Sequence, residues 1–396
     1  MVAVMEGNVG RWPLSRLDVA GAFGDVGVLF PLAIALITLN QMNPTAVFLA
    51  AGLAYVLAGT YFRVPIPVQP LKAVAAIALA LHLAPSTIAS AGLLMGGLLT
   101  LIGITNLAPQ LARLFTLPII RGIQLGLGLL LAREGLRLVL GIRAGQTFWS
   151  GISIATLLIG LGAAVILLLF RRSERYPAAL VLLGAGVVVG LAAHGRALPT
   201  LALGPLPVAF LHPQMTELKL AFLTLVVPQF ALTFGNAIVA TENTAQILYG
   251  PQARRVTTRA LSFSIGLMNL ASGTFLAAPL CHGSGGVTAH YRFGARTPKS
   301  CYVIGSVCLL LALFGRSAVG LLRLIPMAIL GVFLIYVGIQ HAAFVRDIVK
   351  NRSFLFIAAS VGVVALATTN LTWGFLVGFV LQGTMFLFAK AREKRV

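Results

Sequence analysis

Charge is what this sequence has least of. Asp and Glu number nine in 396 residues, and charged residues of both signs make up only 10% of the chain. A soluble domain carries roughly 25%, so these charges are too few to cover a water-facing surface. Cysteine is almost absent too. Cys281, Cys301 and Cys308 form no C-x-x-C pair, which argues against a disulfide framework and a metal cluster. Cys301 and Cys308 stand seven apart within one apolar run, as packed core residues do. The stretch MVAVMEGNVGRWPLSRLD lacks the apolar core of a cleaved signal peptide. No nucleophile–base pair stands out, so an enzyme is not expected, and neither a metal nor a cofactor is implied.

What is abundant is apolar surface, at 59% of residues, together with 42 glycines. Gly151 to Phe170 and Val303 to Phe314 hold no Asp, Glu, Lys, Arg or His. A helix needs about 20 apolar residues to span a bilayer, and small residues let helices approach closely in lipid. The basic excess, 29 Lys and Arg for a net charge of +20, is not gathered into one domain, which argues against nucleic acid as a partner. It recurs in short clusters between apolar stretches, as orientation signals do.

Hydropathy predicts an all-α membrane protein of about fourteen crossing or half-crossing segments. They begin near Ser15, Pro44, Pro65, Ser86, Leu117, Trp149, Tyr176, Leu218, Thr257, Leu280, Pro298, Val319, Ser353 and Thr372. With both termini cytoplasmic, the inner connections collect Arg171, Arg172 and Arg175, then Arg254, Arg255 and Arg259. Arg292, Arg296 and Lys299 follow, then Arg346, Lys350 and Arg352, and the tail adds Lys390, Arg392, Lys394 and Arg395. Arg143, Arg196 and Arg316 fall outside. The expected location is the inner (plasma) membrane.

The chain also resembles itself. AFGDVGVLFPLAIAL around Asp25 has a counterpart in TFGNAIVATENTAQIL around Asn236, 211 residues on. Pro67 and Pro279 are 212 apart, and Pro118 and Pro326 are 208 apart. Three matches in one order at nearly one offset predict two halves of seven spans. An odd number per half inverts the second half, and inverted repeats with broken helices at midplane belong to secondary transporters.

The third and tenth segments are the interrupted ones. PIPVQPLK places three prolines in six residues, and PLCHGSGG places glycines at 283, 285 and 286. Both predict an extended stretch followed by a half-helix. A half-helix starting at membrane depth presents free N–H groups and the positive end of its dipole, which suits an anion. Lys72 lies in such a first turn, where the dipole opposes it; its partner is either a bound oxyanion or a structural acid such as Asp25. Gln69, Asn236, His282 and Ser284 are candidate donors to oxyanion oxygens, with Gly283, Gly285 and Gly286 supplying backbone amides. His282 is equally read as a satisfied core histidine. Asp25 and Glu242 are candidate coupling sites, since a buried acid facing an anion can carry a proton; an interhelical hydrogen bond is the other role open to each.

The segment LMNLASGTFLAAPLCHGSGGVTAHYRFGARTPKS resembles the signature of the sulfate permease superfamily around its ninth to eleventh helices. PVQPLK, CHGSGG with YRFG, and GDVG resemble the molybdate-transporter branch, with Leu71 where that branch has methionine. The resemblance implies a seven-plus-seven fold shared with nucleobase and bicarbonate transporters. Residues 15–106 and 217–315 would form a core domain, and residues 107–200 and 316–390 a gate domain. It also implies dimers joined through the gate. The chain ends just after its last span, so no STAS domain is expected. The function expected is import of molybdate, with tungstate accepted, by proton-coupled alternating access. The alternatives are sulfate or another oxyanion on the same scaffold, an anion channel, and a nucleobase carrier. Carboxylates would suit the last, and Lys72, His282 and Ser284 stand in their place.

Overall fold

The computed structural model describes residues 14–24, 26–112, 116–142, 153–170, 173, 178–194, 202 and 204–393. Asp25, Arg143, Arg171, Arg172, Arg175, Arg196, Lys394 and Arg395 lie outside the described residues, as do the segment starts at Trp149 and Tyr176.

The chain is mostly helical. Its first half contains α1 (Arg16–Ala22), α2 (Val26–Leu39), α3 (Pro44–Phe62), the two-residue strand β1 (Gln69–Pro70), α4 (Lys72–Leu81), α5 (Pro85–Thr105), α6 (Ala108–Ala112), α7 (Leu117–Leu140), α8 (Ile154–Phe170) and α9 (Ala178–His194). The second half begins with α10 (Met215–Ala221), α11 (Val227–Leu232) and α12 (Ala240–Tyr249), joined without a break through π-helical turns at Phe222–Val226 and Thr233–Val239. Then come α13 (Thr258–Thr274), β2 (Leu280–Cys281), α14 (Ser284–Arg292), α15 (Lys299–Leu313), α16 (Gly315–Arg323), α17 (Met327–Ala342), α18 (Arg352–Thr368) and α19 (Leu371–Glu393).

By length and composition, four described helical runs are able to cross a bilayer: Pro44–Phe62, Pro85–Thr105, Met215–Arg255 and Met327–Asp347. The bent pair Arg16–Ala22 and Gly27–Leu39 makes a fifth if taken as one span. The remaining apolar helices are shorter, and α7 interrupts its apolar run with Arg121, Arg133, Glu134 and Arg137.

Helix starts follow local chemistry. Pro44 and Pro85 occupy first turns, where their missing N–H costs nothing, and Asn43 caps α3 by accepting from the Ala46 N–H at 3.2 Å. Packing between the halves is reciprocal. α3 lies on α15 and α5 on α13, while α7 lies along α17. At the last crossing Gly128 faces the Gly338 backbone and Gly135 faces that of Gly331. A Cβ at any of these four would overlap the opposite chain. Backbone-to-backbone contact of this kind gives helices dispersion contacts that lipid cannot match.

Candidate oxyanion site

Where the two halves meet, β1 and β2 pair antiparallel, with Gln69 opposite Cys281 and Pro70 opposite Leu280. The Leu71 N–H donates to the Pro279 carbonyl at 2.8 Å. Prolines at 65, 67 and 70 forbid helix here and hold the chain extended. Asn269 on α13 satisfies both backbone groups of Leu280: its Oδ1 accepts the N–H at 2.9 Å and its Nδ2 donates to the carbonyl at 2.7 Å. This Asn belongs to the N-x-x-S-G pattern Asn269–Gly273, and its work is to hold irregular backbone in an apolar setting.

Each short strand turns into a helix within three residues, so α4 and α14 both begin beside the crossing. Neither N-cap residue, Leu71 nor Gly283, offers a side-chain cap. The two starts then differ. The N–H groups of Ala73 and Val74 donate to Oε1 of Gln229 at 2.9 and 3.2 Å, and Gln229 Nε2 donates to Thr233 Oγ1 at 3.0 Å. Gln229 lies on α11 between the two π turns, a distortion frequent at functional sites. Two first-turn N–H groups of α4, those of Ala73 and Val74, are therefore occupied by a side chain.

A cavity of about 620 Å³ opens beside the crossing. Gln69, Lys72, Asn236, Ser284, Gly285 and Gly286 line one wall, so six of the eight predicted substrate residues come together there. Ser284 Oγ donates to Asn236 Oδ1 at 3.0 Å, tying the start of α14 to the second π turn. Lys72 is buried, at 5% exposure, and has neither an ion pair nor a hydrogen bond among the described residues. The one described ion pair, Arg121 with Asp347, is elsewhere. Asp25, the alternative partner for Lys72, is outside the described residues, although Gly24 and Gly27 on either side of it line the cavity.

His282 does not line the cavity. It is fully buried, with Nδ1 2.8 Å from the Pro67 carbonyl and Nε2 2.9 Å from Ser264 Oγ. A carbonyl only accepts, so Nδ1 carries the proton and Nε2 accepts from the serine, leaving neither nitrogen for a ligand. Gly283 is not in the cavity lining but packs against it: a Cβ there would sit 3.1 Å from both Gln69 Oε1 and Lys72 Nζ. Glu242 does not line the cavity either, although Thr244 on the same helix does. Its Oε2 accepts the Thr258 N–H at the start of α13 at 2.9 Å, and its Oε1 accepts from Gln246 Nε2 at 3.3 Å.

Gln229 and the α17 residues Tyr336, Gln340 and His341, which form a second wall, were not singled out from sequence. Each is polar within an apolar run (VVPQFAL, LIYVGIQHAAF), and that is the signal available for them. Among the described residues, no three His, Cys, Asp or Glu side chains are placed to hold a metal ion.

The fold is similar to that of solved anion transporters. The transmembrane domain of the cyanobacterial bicarbonate transporter BicA superposes with a TM-score of 0.69 at 18% identity, covering 92% of this chain and 96% of that one. SLC26A9 gives 0.69 at 15% identity, covering 94% of this chain and 65% of its own. Molybdate transporter 2 of Arabidopsis thaliana is 29% identical over 93% of this chain and 87% of its own length. The family described as "Molybdate transporter of MFS superfamily" matches residues 18–131 and 221–340, more than half of the chain. With the architecture of BicA and SLC26A9 beneath that match, the chain belongs to the molybdate transporter family on a sulfate-permease-type fold, a family of transporters and not of enzymes.

Proposed function

We propose that this protein imports molybdate, and accepts tungstate, by alternating access coupled to protons. The observation that carries the reading is Lys72: a buried ammonium without a described partner, sharing a cavity with the uncapped start of α14 and with Asn236. A buried charge needs a counter-charge, and a tetrahedral dianion supplies it. Ser284 and Gly285 offer backbone N–H groups to its oxygens, Asn236 and Gln69 offer amides, and Gly285 leaves open space where a larger oxyanion fits, while the Gly286 N–H closes the turn onto the Gly283 carbonyl at 3.0 Å. The molybdate transport named for the relatives agrees with this chemistry.

The chain is read as fourteen segments in two inverted halves of seven. Supporting this, exchange of the halves turns the α3–α15 contact into α13–α5, and carries the β1–α4 unit onto β2–α14. Residues 15–106 and 217–315 form the core carrying Lys72 and α14, and residues 107–200 and 316–390 form the gate carrying α17. The cavity reaches Phe170 at the end of α8, Arg292 at the end of α14 and Phe344 just after α17, and the chain continues from the last two to Arg296 and Lys299 and to Arg346 and Lys350. Basic residues favour the cytoplasm. The cavity thus faces inward, with both termini cytoplasmic in the plasma membrane, and two copies pair through their gates.

Competition against labelled molybdate in proteoliposomes tests the assignment. Tungstate is expected to displace it at concentrations similar to unlabelled molybdate, and sulfate only at higher ones. Sulfate displacing it at equal or lower concentration overturns the molybdate assignment. Flux without saturation or counterflow overturns alternating access in favour of a channel.

A further inference from the structure

A dianion beside Lys72 meets one full positive charge. The start of α4 adds little, because Gln229 already accepts the N–H groups of Ala73 and Val74. The start of α14 adds roughly half a charge. Arg292 also lines the cavity, but it stands eight residues along α14 from Ser284, about 12 Å away at 1.5 Å per residue. Beyond the phenol of Tyr336, one titratable group remains in the described wall: His341.

His341 sits at the end of α17, buried, with Nδ1 2.9 Å from the Val337 carbonyl oxygen. That carbonyl only accepts, so Nδ1 carries the proton and Nε2 is the bare nitrogen of the neutral ring. Nε2 has no hydrogen-bond partner among the described residues. The other charges around α17 are engaged or distant. Arg121 on α7 pairs with Asp347, and Arg346 lies beyond the end of α17. Arg133, Glu134 and Arg137 cluster where Gly135 meets Gly331, ten residues and about 15 Å along α17 from His341. α2, α8 and residues 178–193 of α9 contain no titratable residue. Lys72 and, toward the end of α14, Arg292 are thus the charges that share the cavity with His341.

A second buried cation beside Lys72 would be both desolvated and repelled, so an imidazolium there needs an anion between them. A dianion between them reverses the field. We propose that His341 takes a proton on Nε2 as the dianion binds, so that oxyanion and proton load together and the ammonium and imidazolium balance the two negative charges. The inference rests on the oxyanion function proposed above. The only bond made is Nε2–H, and the proton comes from the aqueous phase at the cavity mouth.

Calorimetric titration of the purified full-length protein with sodium molybdate, in two buffers of different ionisation enthalpy, counts the protons taken up per dianion. Wild type is expected to take up close to one, and its affinity to fall about tenfold per pH unit as pH rises through neutrality. His341→Gln keeps a polar side chain and is expected to bind with a proton count near zero and a flat pH profile. An unchanged count in His341→Gln overturns the proposal, as does normal wild-type binding without proton uptake. Loss of uptake in Asp25→Asn alone overturns it in favour of the acid. Wild type that binds no molybdate overturns the oxyanion function itself, a result distinct from binding without protons. If His341→Gln does not fold, His341→Asn and the slope of the wild-type pH profile decide the matter.

Discussion

The ammonium of Lys72 lies so close to Gly283 that a methyl group on that glycine would sit 3.1 Å from Nζ. The glycines of the CHGSGG turn therefore have different tasks. A Cβ at Gly286 would come within 2.5 Å of Pro67 Cβ and 2.7 Å of Gln69 Nε2, whereas one at Gly285 meets nothing within 4 Å. Overpacking of this kind costs about 1–3 kcal/mol. Gly286→Ala should lower the melting temperature of the purified protein, while Gly285→Ala should melt like wild type and bind molybdate more weakly, since its methyl enters the cavity. Equal melting losses in the two variants would show that the turn is packed on both sides.

Lys72→Met retains the apolar stem and removes the charge. Wild type should gain about 2.7 kcal/mol when molybdate is present at a hundred times its Kd, and the variant should gain nothing while remaining folded. Melting curves with and without molybdate make the comparison. A variant stabilised as much as wild type would make Lys72 a structural partner of some other group and move the anion elsewhere.

Gln229 closes the start of α4 with one side chain. Its removal leaves the Ala73 and Val74 N–H groups without their acceptor, at a cost of about 1–3 kcal/mol for a buried unsatisfied donor. Gln229→Leu should show this as a lower melting temperature. Gln229→Glu keeps an acceptor but brings a negative charge toward the site, so it should weaken molybdate binding by more than it lowers stability. Full affinity in Gln229→Glu would mean that the anion lies beyond the reach of this carboxylate.

Glu242 serves the start of α13. Loss of a helix cap costs about 0.5–2 kcal/mol, so Glu242→Ala should be destabilised, whereas Glu242→Gln retains an acceptor for the Thr258 N–H and should be nearly as stable as wild type. Because the carboxylate is not in the cavity lining and both its oxygens accept hydrogen bonds, Glu242→Gln should also keep accumulation driven by an imposed proton gradient in proteoliposomes. Lost accumulation at unchanged stability would return the coupling role to this residue.

Much of this was legible in the chain alone, for local reasons. The scarcity of charge and the length of the apolar runs dictate helices in lipid, because no other solvent suits such a surface. Prolines at 65, 67 and 70 and glycines at 283, 285 and 286 dictate the two interruptions, because backbone torsions are set residue by residue. A lysine in the first turn of an interrupted helix already calls for a counter-charge. What the chain alone left open was which polar atoms are already engaged. His282 and Ser284 are two residues apart, yet the histidine turns to Pro67 and Ser264 while the serine faces the cavity with Asn236. Gln229 and His341 lie 157 and 269 residues from Lys72, and neither has a spacing that points to it. Their roles arise when α11 packs on α4 and α17 closes the second wall. Hydrogen-bond saturation is a property of three-dimensional neighbours, and only the tertiary structure assigns those partners.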